Sequence, residues 1–274
     1  MGRIADCFAA LRARHKTALI PFVTAGDPQP EVTVPLLHTL VDQGADILEL
    51  GVPFSDPIAD GPVIQQSSER ALASGVSLTQ VLAMVTAFRR TNMTTPVVLM
   101  GYLNPLEAMG YAQFAAAARQ AGVDGVLTVD SPPEACSDLT DCLMQQAIDP
   151  IFLIAPTTTP QRMEQITRVA CGFVYYVALK GVTGAGYLDT ESVAARLSEI
   201  RTHTELPVGV GFGIKDVATA RVVATLADAV VVGSALVSRI AGCADQPDQV
   251  PAVAGALLAE LRAAVDSVPT RHRD

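Results

Sequence analysis

The stretch from Leu48 to Pro62, LELGVPFSDPIADGP, holds acids in a setting suited to proton transfer. Glu49 is the one carboxylate in the short apolar run Ile47-Leu48-Glu49-Leu50-Gly51, which reads as a β-strand. Side chains alternate along a strand, so Ile47, Glu49 and Gly51 share one face while Leu48 and Leu50 share the other. A carboxylate buried without a partner is costly, and it either raises its pKa or acquires a counter-charge. Beyond the strand, Pro53, Pro57 and Pro62 fix φ at three points and Gly61 permits a bend, which makes a stiff loop. That loop carries Asp56 and Asp60. An acid on a strand and a second on a rigid loop just beyond it can support general acid–base chemistry. The competing expectation is a solvated turn with Glu49 paired to an arginine.

Two glycine-rich turns further along suit an anion. Gly209-Val210-Gly211-Phe212-Gly213 and Gly233-Ser234-Ala235 let backbone N–H groups approach closely, and a helix beginning at Ser234 would aim its dipole at the same point. A third segment, Lys180-Gly181-Val182-Thr183-Gly184-Ala185-Gly186, sets three glycines around one threonine and reads as a mobile lid. The cysteines Cys7, Cys136, Cys142, Cys171 and Cys243 are odd in number and lack a C-x-x-C pair, which suggests a reducing compartment. The histidines are isolated from acid clusters, so no metal site is expected.

These residues need a frame, and the apolar runs supply one. Strands are expected at Ala18–Thr24, Ile47–Gly51, Pro96–Tyr102, Gly125–Val129, Pro150–Ile154, Phe173–Val177, Pro207–Gly211 and Ala229–Gly233. Most lack a clean apolar/polar alternation, as parallel strands covered on both faces do. Helical patterns lie between them. Ser77 and Gln80 form a capping box, Thr159 precedes Pro160 as a cap ahead of a first-turn proline, and Asp189 begins another helix. Ahead of the first strand, Ile4, Cys7, Phe8 and Leu11 make an extra N-terminal amphipathic helix. GADILELG, GVDGVLTVD and ADAVVVGS echo one another as helix end, turn with Asp, and buried strand. Eight strand–helix units imply a (β/α)8 TIM barrel, an α/β fold formed as a single domain over residues 1–274. An open doubly wound sheet is the alternative, but its Gly-rich first turn is absent: Thr24-Ala25-Gly26-Asp27-Pro28 stands there. In such barrels the active site lies at the C-terminal ends of the strands, which puts Glu49 and Asp60 at the correct end.

Composition narrows the partners. Half of the 274 residues are hydrophobic and the formal net charge is −9, which argues against nucleic acid. The N-terminus lacks a long apolar core of the kind signal peptides carry, and no apolar run reaches a membrane span. A cytoplasmic protein is expected.

PFVTAGDP, LELGVPFSDPIADGP, KGVTGAG, GFGI and VVGSA follow the order and spacing of the tryptophan synthase α-subunit family, and the chain resembles that family over essentially its whole length. The resemblance implies a lyase of L-tryptophan biosynthesis that splits indole-3-glycerol phosphate into indole and D-glyceraldehyde 3-phosphate by a retro-aldol step, with no cofactor in this chain. It implies that Glu49 transfers protons and that Asp60 hydrogen-bonds the indole N–H. It implies an indole slot of Phe22, Met100, Leu127, Val129, Leu153, Tyr175 and Phe212, and contacts from Thr183, Gly184, Gly213, Gly233 and Ser234 in the lid and around the phosphate. It further implies a β subunit carrying pyridoxal phosphate, joined in an α2β2 heterotetramer and receiving indole through a tunnel. Asp56, Asn104 and Pro132 would meet that partner.

The chain departs from the family pattern in places. Ala178 and Leu179 stand where Ser and Arg are common, Phe173 where Tyr is frequent, and Leu153 where Ile is common. Two rival readings remain at this point: a Schiff-base aldolase on the same barrel using Lys180, and a barrel that only activates a partner chain.

Overall fold

The computed structural model describes residues 2–178, 190–211, 213–214 and 216–268. Parallel strands close on themselves in chain order as β1 (Ala18–Thr24), β2 (Leu48–Gly51), β3 (Val97–Gly101), β4 (Gly125–Thr128), β5 (Asp149–Ile154), β6 (Val174–Val177), β7 (Val208–Gly211) and β8 (Ala229–Val232). The expected barrel is therefore the observed one. β1 has the bounds read from the sequence, and the other strands differ from theirs by one residue at one or both ends.

The helices are α1 (Arg3–Ala13), α2 (Pro30–Asp42), α3 (Pro62–Ala73), α4 (Leu78–Arg89), α5 (Leu103–Met109), α6 (Tyr111–Ala121), α7 (Ser137–Gln145), α8 (Pro160–Val169), α9 (Thr190–His203), α10 (Val217–Ala224), α11 (Ser234–Ala241) and α12 (Val250–Asp266). The start signals act as expected. Ser77 and Gln80 form the reciprocal capping box of α4, and the Thr159 hydroxyl accepts from the Arg162 N–H ahead of Pro160. Asp189 lies outside the described residues. β2, β3 and β8 are each followed by two helices where simple alternation predicts one. Gly110 at φ 87° makes the break between α5 and α6, a conformation other residues seldom adopt. Among the described residues no single helix is long and apolar enough to cross a membrane.

Two apolar layers result from strand alternation. Leu48 and Leu50 face the surrounding helices, in one cluster with Val97, Leu99 and Phe88. Ile47 faces the barrel interior with Val98, Leu127, Ile151, Tyr175 and Val231. The amphipathic helix α1 belongs to this inner cluster through Ile4, Phe8 and Leu11, and the Phe8 ring lies 5.9 Å from that of Phe173. It plugs the N-terminal end of the barrel.

The sequence echo has a structural cause. Asp46, Asp124 and Asp228 precede β2, β4 and β8, and each reaches sideways to the strand before. Asp46 Oδ2 accepts from the Leu19 N–H, Asp124 Oδ2 from that of Val97, and Asp228 Oδ2 from that of Val208, all at 2.8 Å. Each acid also faces an arginine: Arg262 at 2.9 Å, Arg89 at 2.6 Å and Arg201 at 3.5 Å respectively. Arg3 of α1 adds a second cation to Asp124 at 2.7 Å, tying the plug to the barrel. Before β6 the matching position is Gly172, where an added Cβ would come within 3.0 Å of Asp149 Oδ2. There the acid stands on β5 instead. Burial, then the charge of Asp124, pushes the Asp149 carboxyl up to about 6.

Candidate active site

Glu49 points into the barrel interior, flanked in register by Phe22 of β1 and Val98 of β3. It is 1% exposed, and among the described residues neither carboxyl oxygen has a hydrogen-bond partner. The expectation of an arginine partner is not met. Burial alone raises its pKa from 4.5 to about 8, so the side chain is mostly neutral at pH 7. A buried polar group left unsatisfied costs about 1–3 kcal/mol, and such groups gather where function requires them.

The second acid is held quite differently. Tyr102, just past the end of β3, donates its hydroxyl to Asp60 Oδ2 at 3.0 Å, and the Tyr102 hydroxyl oxygen accepts the Ala59 N–H at 3.0 Å. The Phe54 ring sits 5.1 Å from the Tyr102 ring. Burial raises the Asp60 carboxyl above the usual range, and the Tyr102 hydrogen bond pulls it back. The loop runs directly into α3, whose Arg70 grips Asp27 through two hydrogen bonds of 2.6 and 2.9 Å. Ser67 of α3 also meets Thr24 at 2.6 Å. α3 is thereby locked to the C-terminal end of β1, and the Asp60 loop with it.

Phe22, Met100, Val129 and Asp60, four of the residues expected at the site, line one cleft at this end of the barrel. On β2 the cleft wall is Gly51, so Glu49 lies one layer deeper. Leu127 and Tyr175 belong to the same interior cluster, with Leu153 packed against it. Glycines make room for the large rings. A Cβ on Gly51 would lie 2.6 Å from Phe22 Cζ, and one on Gly211 would lie 2.5 Å from Tyr175 Cζ. On the far side, Gly233 caps α11, which starts at Ser234 as expected, and Gly213 has φ 82°. A Cβ on Gly233 would be 3.5 Å from Phe22 Cβ, so Phe22 bridges the glycine turn and the acid side.

Sequence reasoning missed Thr24, Ile64, Ser68 and Tyr102, which share the cleft wall. Ile64 and Ser68 lie four residues apart on α3, one face of a helix, and Tyr102 ends a run expected as a strand; both signals were there to be used. Phe173, which stands where Tyr is frequent, packs on Phe8 near the plugged end and is not among the residues that line the cleft. Thr183, Gly184, Phe212 and the whole segment Lys180–Gly186, with Leu179, lie outside the described residues. Asp56 and Asn104 are exposed and Pro132 is half-buried, on the segments following β2, β3 and β4.

The family model for the tryptophan synthase alpha chain matches residues 8–266. The chain belongs to the tryptophan synthase alpha chain family. It is 57% identical to the alpha chain of Nitrosococcus oceani, covering 97% of this chain and 98% of that one. It is 60% identical to the alpha chain of Thioalkalivibrio sulfidiphilus, covering 97% and 100%. The crystal structure of the Legionella pneumophila alpha subunit superposes with a TM-score of 0.91 at 44% identity, over 98% of this chain and 100% of that chain. A chain of M. tuberculosis tryptophan synthase does so with 0.85 at 32%, over 97% and 100%. As an alpha chain it is a lyase of tryptophan biosynthesis, and an alpha chain implies a beta-subunit partner.

Proposed function

We propose that the alpha reaction, cleavage of indole-3-glycerol phosphate to indole and D-glyceraldehyde 3-phosphate, runs between Glu49 and Asp60. The bond from indole C3 to the glycerol chain breaks; C3 must gain a proton, and the adjacent hydroxyl must lose one. Neutral Glu49 delivers its proton to C3, and the ring nitrogen takes on positive charge. The Asp60 carboxylate accepts the ring N–H and offsets that charge, stabilising the transition state more than the substrate. The Glu49 carboxylate then removes the hydroxyl proton as the carbon–carbon bond breaks, and its electrons restore the indole. Glu49 ends neutral, ready for the next turnover.

The observation that carries this reading is the unpartnered carboxyl of Glu49 inside the barrel, with Asp60 tethered to Tyr102 at the same mouth. Phe22, Met100, Leu127, Val129, Leu153, Tyr175 and Phe212 would hold the indole. The first N–H groups of α11 at Gly233 and Ser234, with Gly213, Gly184 and Thr183, would hold the phosphate and close the lid. We propose further that residues 1–274 act as one cytoplasmic domain without a cofactor of its own. In this reading two alpha chains join two beta subunits that carry pyridoxal phosphate and receive indole through a tunnel, at a face including Asp56, Asn104 and Pro132. Ile58, 86% exposed beside Asp56, fits a surface that is covered in an assembly.

The test is indole release from indole-3-glycerol phosphate by the wild type and by Glu49→Gln. Gln keeps the shape but cannot carry a proton, so its rate should fall at least about a hundredfold. A variant above that level contradicts proton transfer at Glu49.

A further inference from the structure

Gln65, in the first turns of α3, does work that no reading of the cleft assigns to it. Its side-chain Nε2 donates to the backbone carbonyl of Asp60 at 2.9 Å and to that of Pro57 at 3.3 Å. Carbonyl oxygens only accept, so the amide nitrogen and not its oxygen must face them. Pro57 and Asp60 are the two ends of a turn already closed by the Asp60 N–H to the Pro57 carbonyl at 3.0 Å. Gln65 therefore clasps both ends of that turn from the helix. Its own N–H bonds the Gly61 carbonyl at 3.0 Å, which fixes the base of the side chain.

On the other side the turn meets Tyr102, which takes the Ala59 N–H and holds the Asp60 carboxylate. Asp60 is thus gripped by its backbone from α3 and by its side chain from the end of β3. The turn's own bond shapes it but does not attach it to anything. With Ile58 exposed on that turn and Asp56 exposed just before it, loss of the Gln65 clasp leaves the turn held by Tyr102 and by its chain connection into α3.

We propose that Gln65 is a positioning residue for Asp60: its amide staples the Pro57–Asp60 turn to α3 and so fixes where the carboxylate meets the substrate. This rests on the reaction assigned above to Asp60. Gln65 touches no reacting atom, and its effect passes through Asp60 alone. A misplacement of about 1 Å at a catalytic group can cost a hundredfold, and one of two tethers should account for part of that.

The experiment is a double-mutant cycle on indole release, joining Gln65→Met, which keeps length and loses both donors, with Asp60→Asn. Gln65→Met alone should lower kcat about tenfold with KM within about twofold, while the thermal midpoint stays close to the wild type. In the Asp60→Asn background the same change should alter kcat less than about twofold. Gln65→Glu, which keeps the shape and presents only acceptors, should repeat the loss, and serves if Gln65→Met folds poorly. An equal loss of kcat in both backgrounds, a change in KM only, or no change at all would each overturn the staple. Wild-type indole release is read in the same assay, so a failure of the reaction itself is seen separately from a failure of Gln65.

Discussion

Glu49→Gln should make the protein inactive and, as the pH rises, make it gain stability relative to the wild type. The folded state holds Glu49 neutral with a pKa of about 8, against 4.5 for an exposed carboxyl. That difference corresponds to a preference of about 5 kcal/mol for the protonated form. The folded protein binds this proton more tightly than the unfolded chain, so the group's contribution is complete below pH 4.5. It is lost as the pH rises towards 8, and beyond that the curve flattens. For this group alone most of that loss falls between pH 5.5 and pH 8.5. Gln at position 49 does not titrate, and whatever its buried amide costs is the same at both pH values. The gap in unfolding free energy between Glu49→Gln and wild type should therefore shift by about 3 kcal/mol towards the variant from pH 5.5 to 8.5. Urea unfolding followed by circular dichroism reads it, and groups such as Asp27 and Asp149 cancel because both proteins contain them. A gap constant within about 0.5 kcal/mol would mean that Glu49 is ionised or partnered in the fold, and the acid-first mechanism would fall with it.

Other consequences are as direct. Asp60→Asn should cut kcat by about two orders of magnitude, and Tyr102→Phe, which frees Asp60 Oδ2, by about tenfold; if Tyr102→Phe raises KM alone, Tyr102 acts on binding and not on the acid. Gly211→Ala should impair folding and activity because the new methyl meets the Tyr175 phenol, costing about 1–3 kcal/mol. Tyr175→Leu should recover part of that stability, and if the double variant is as weak as the two losses added, the clash is not the cause. Asp124→Ala, which strands the buried Arg89, should cost about 3–5 kcal/mol in urea unfolding. Breaking the exposed Lys16–Asp266 pair with Lys16→Ala should cost under about 1 kcal/mol; equal losses would remove the distinction drawn between buried and surface pairs.

What the sequence shows and what it hides divide along one physical line. Glu49 was legible because its signal is local: one acid in an apolar run, at the alternation that turns it away from Leu48 and Leu50. The capping box at Ser77 and the proline-led start of α8 are local too, and both formed as read. Tyr102 was hidden because its meaning depends on a loop from the neighbouring unit folding back over the end of β3. Read along the chain it is one more apolar residue finishing a strand; in the fold it caps α5 and holds Asp60. Phe173 is hidden in the same way, since its place at the start of an expected strand says nothing of its neighbour, Phe8, which lies 165 positions away on the helix that plugs the barrel. The repeated Asp before β2, β4 and β8 falls between the two cases. The repeat was plain, but its cause, an acid spanning to the preceding strand and neutralised by an arginine from a helix, is a contact that no single segment contains. Gly172 supports this account. Where the repeat loses its Asp, the neighbouring strand supplies Asp149 and the glycine leaves it room, so the fold keeps an acid at that corner although the pattern does not.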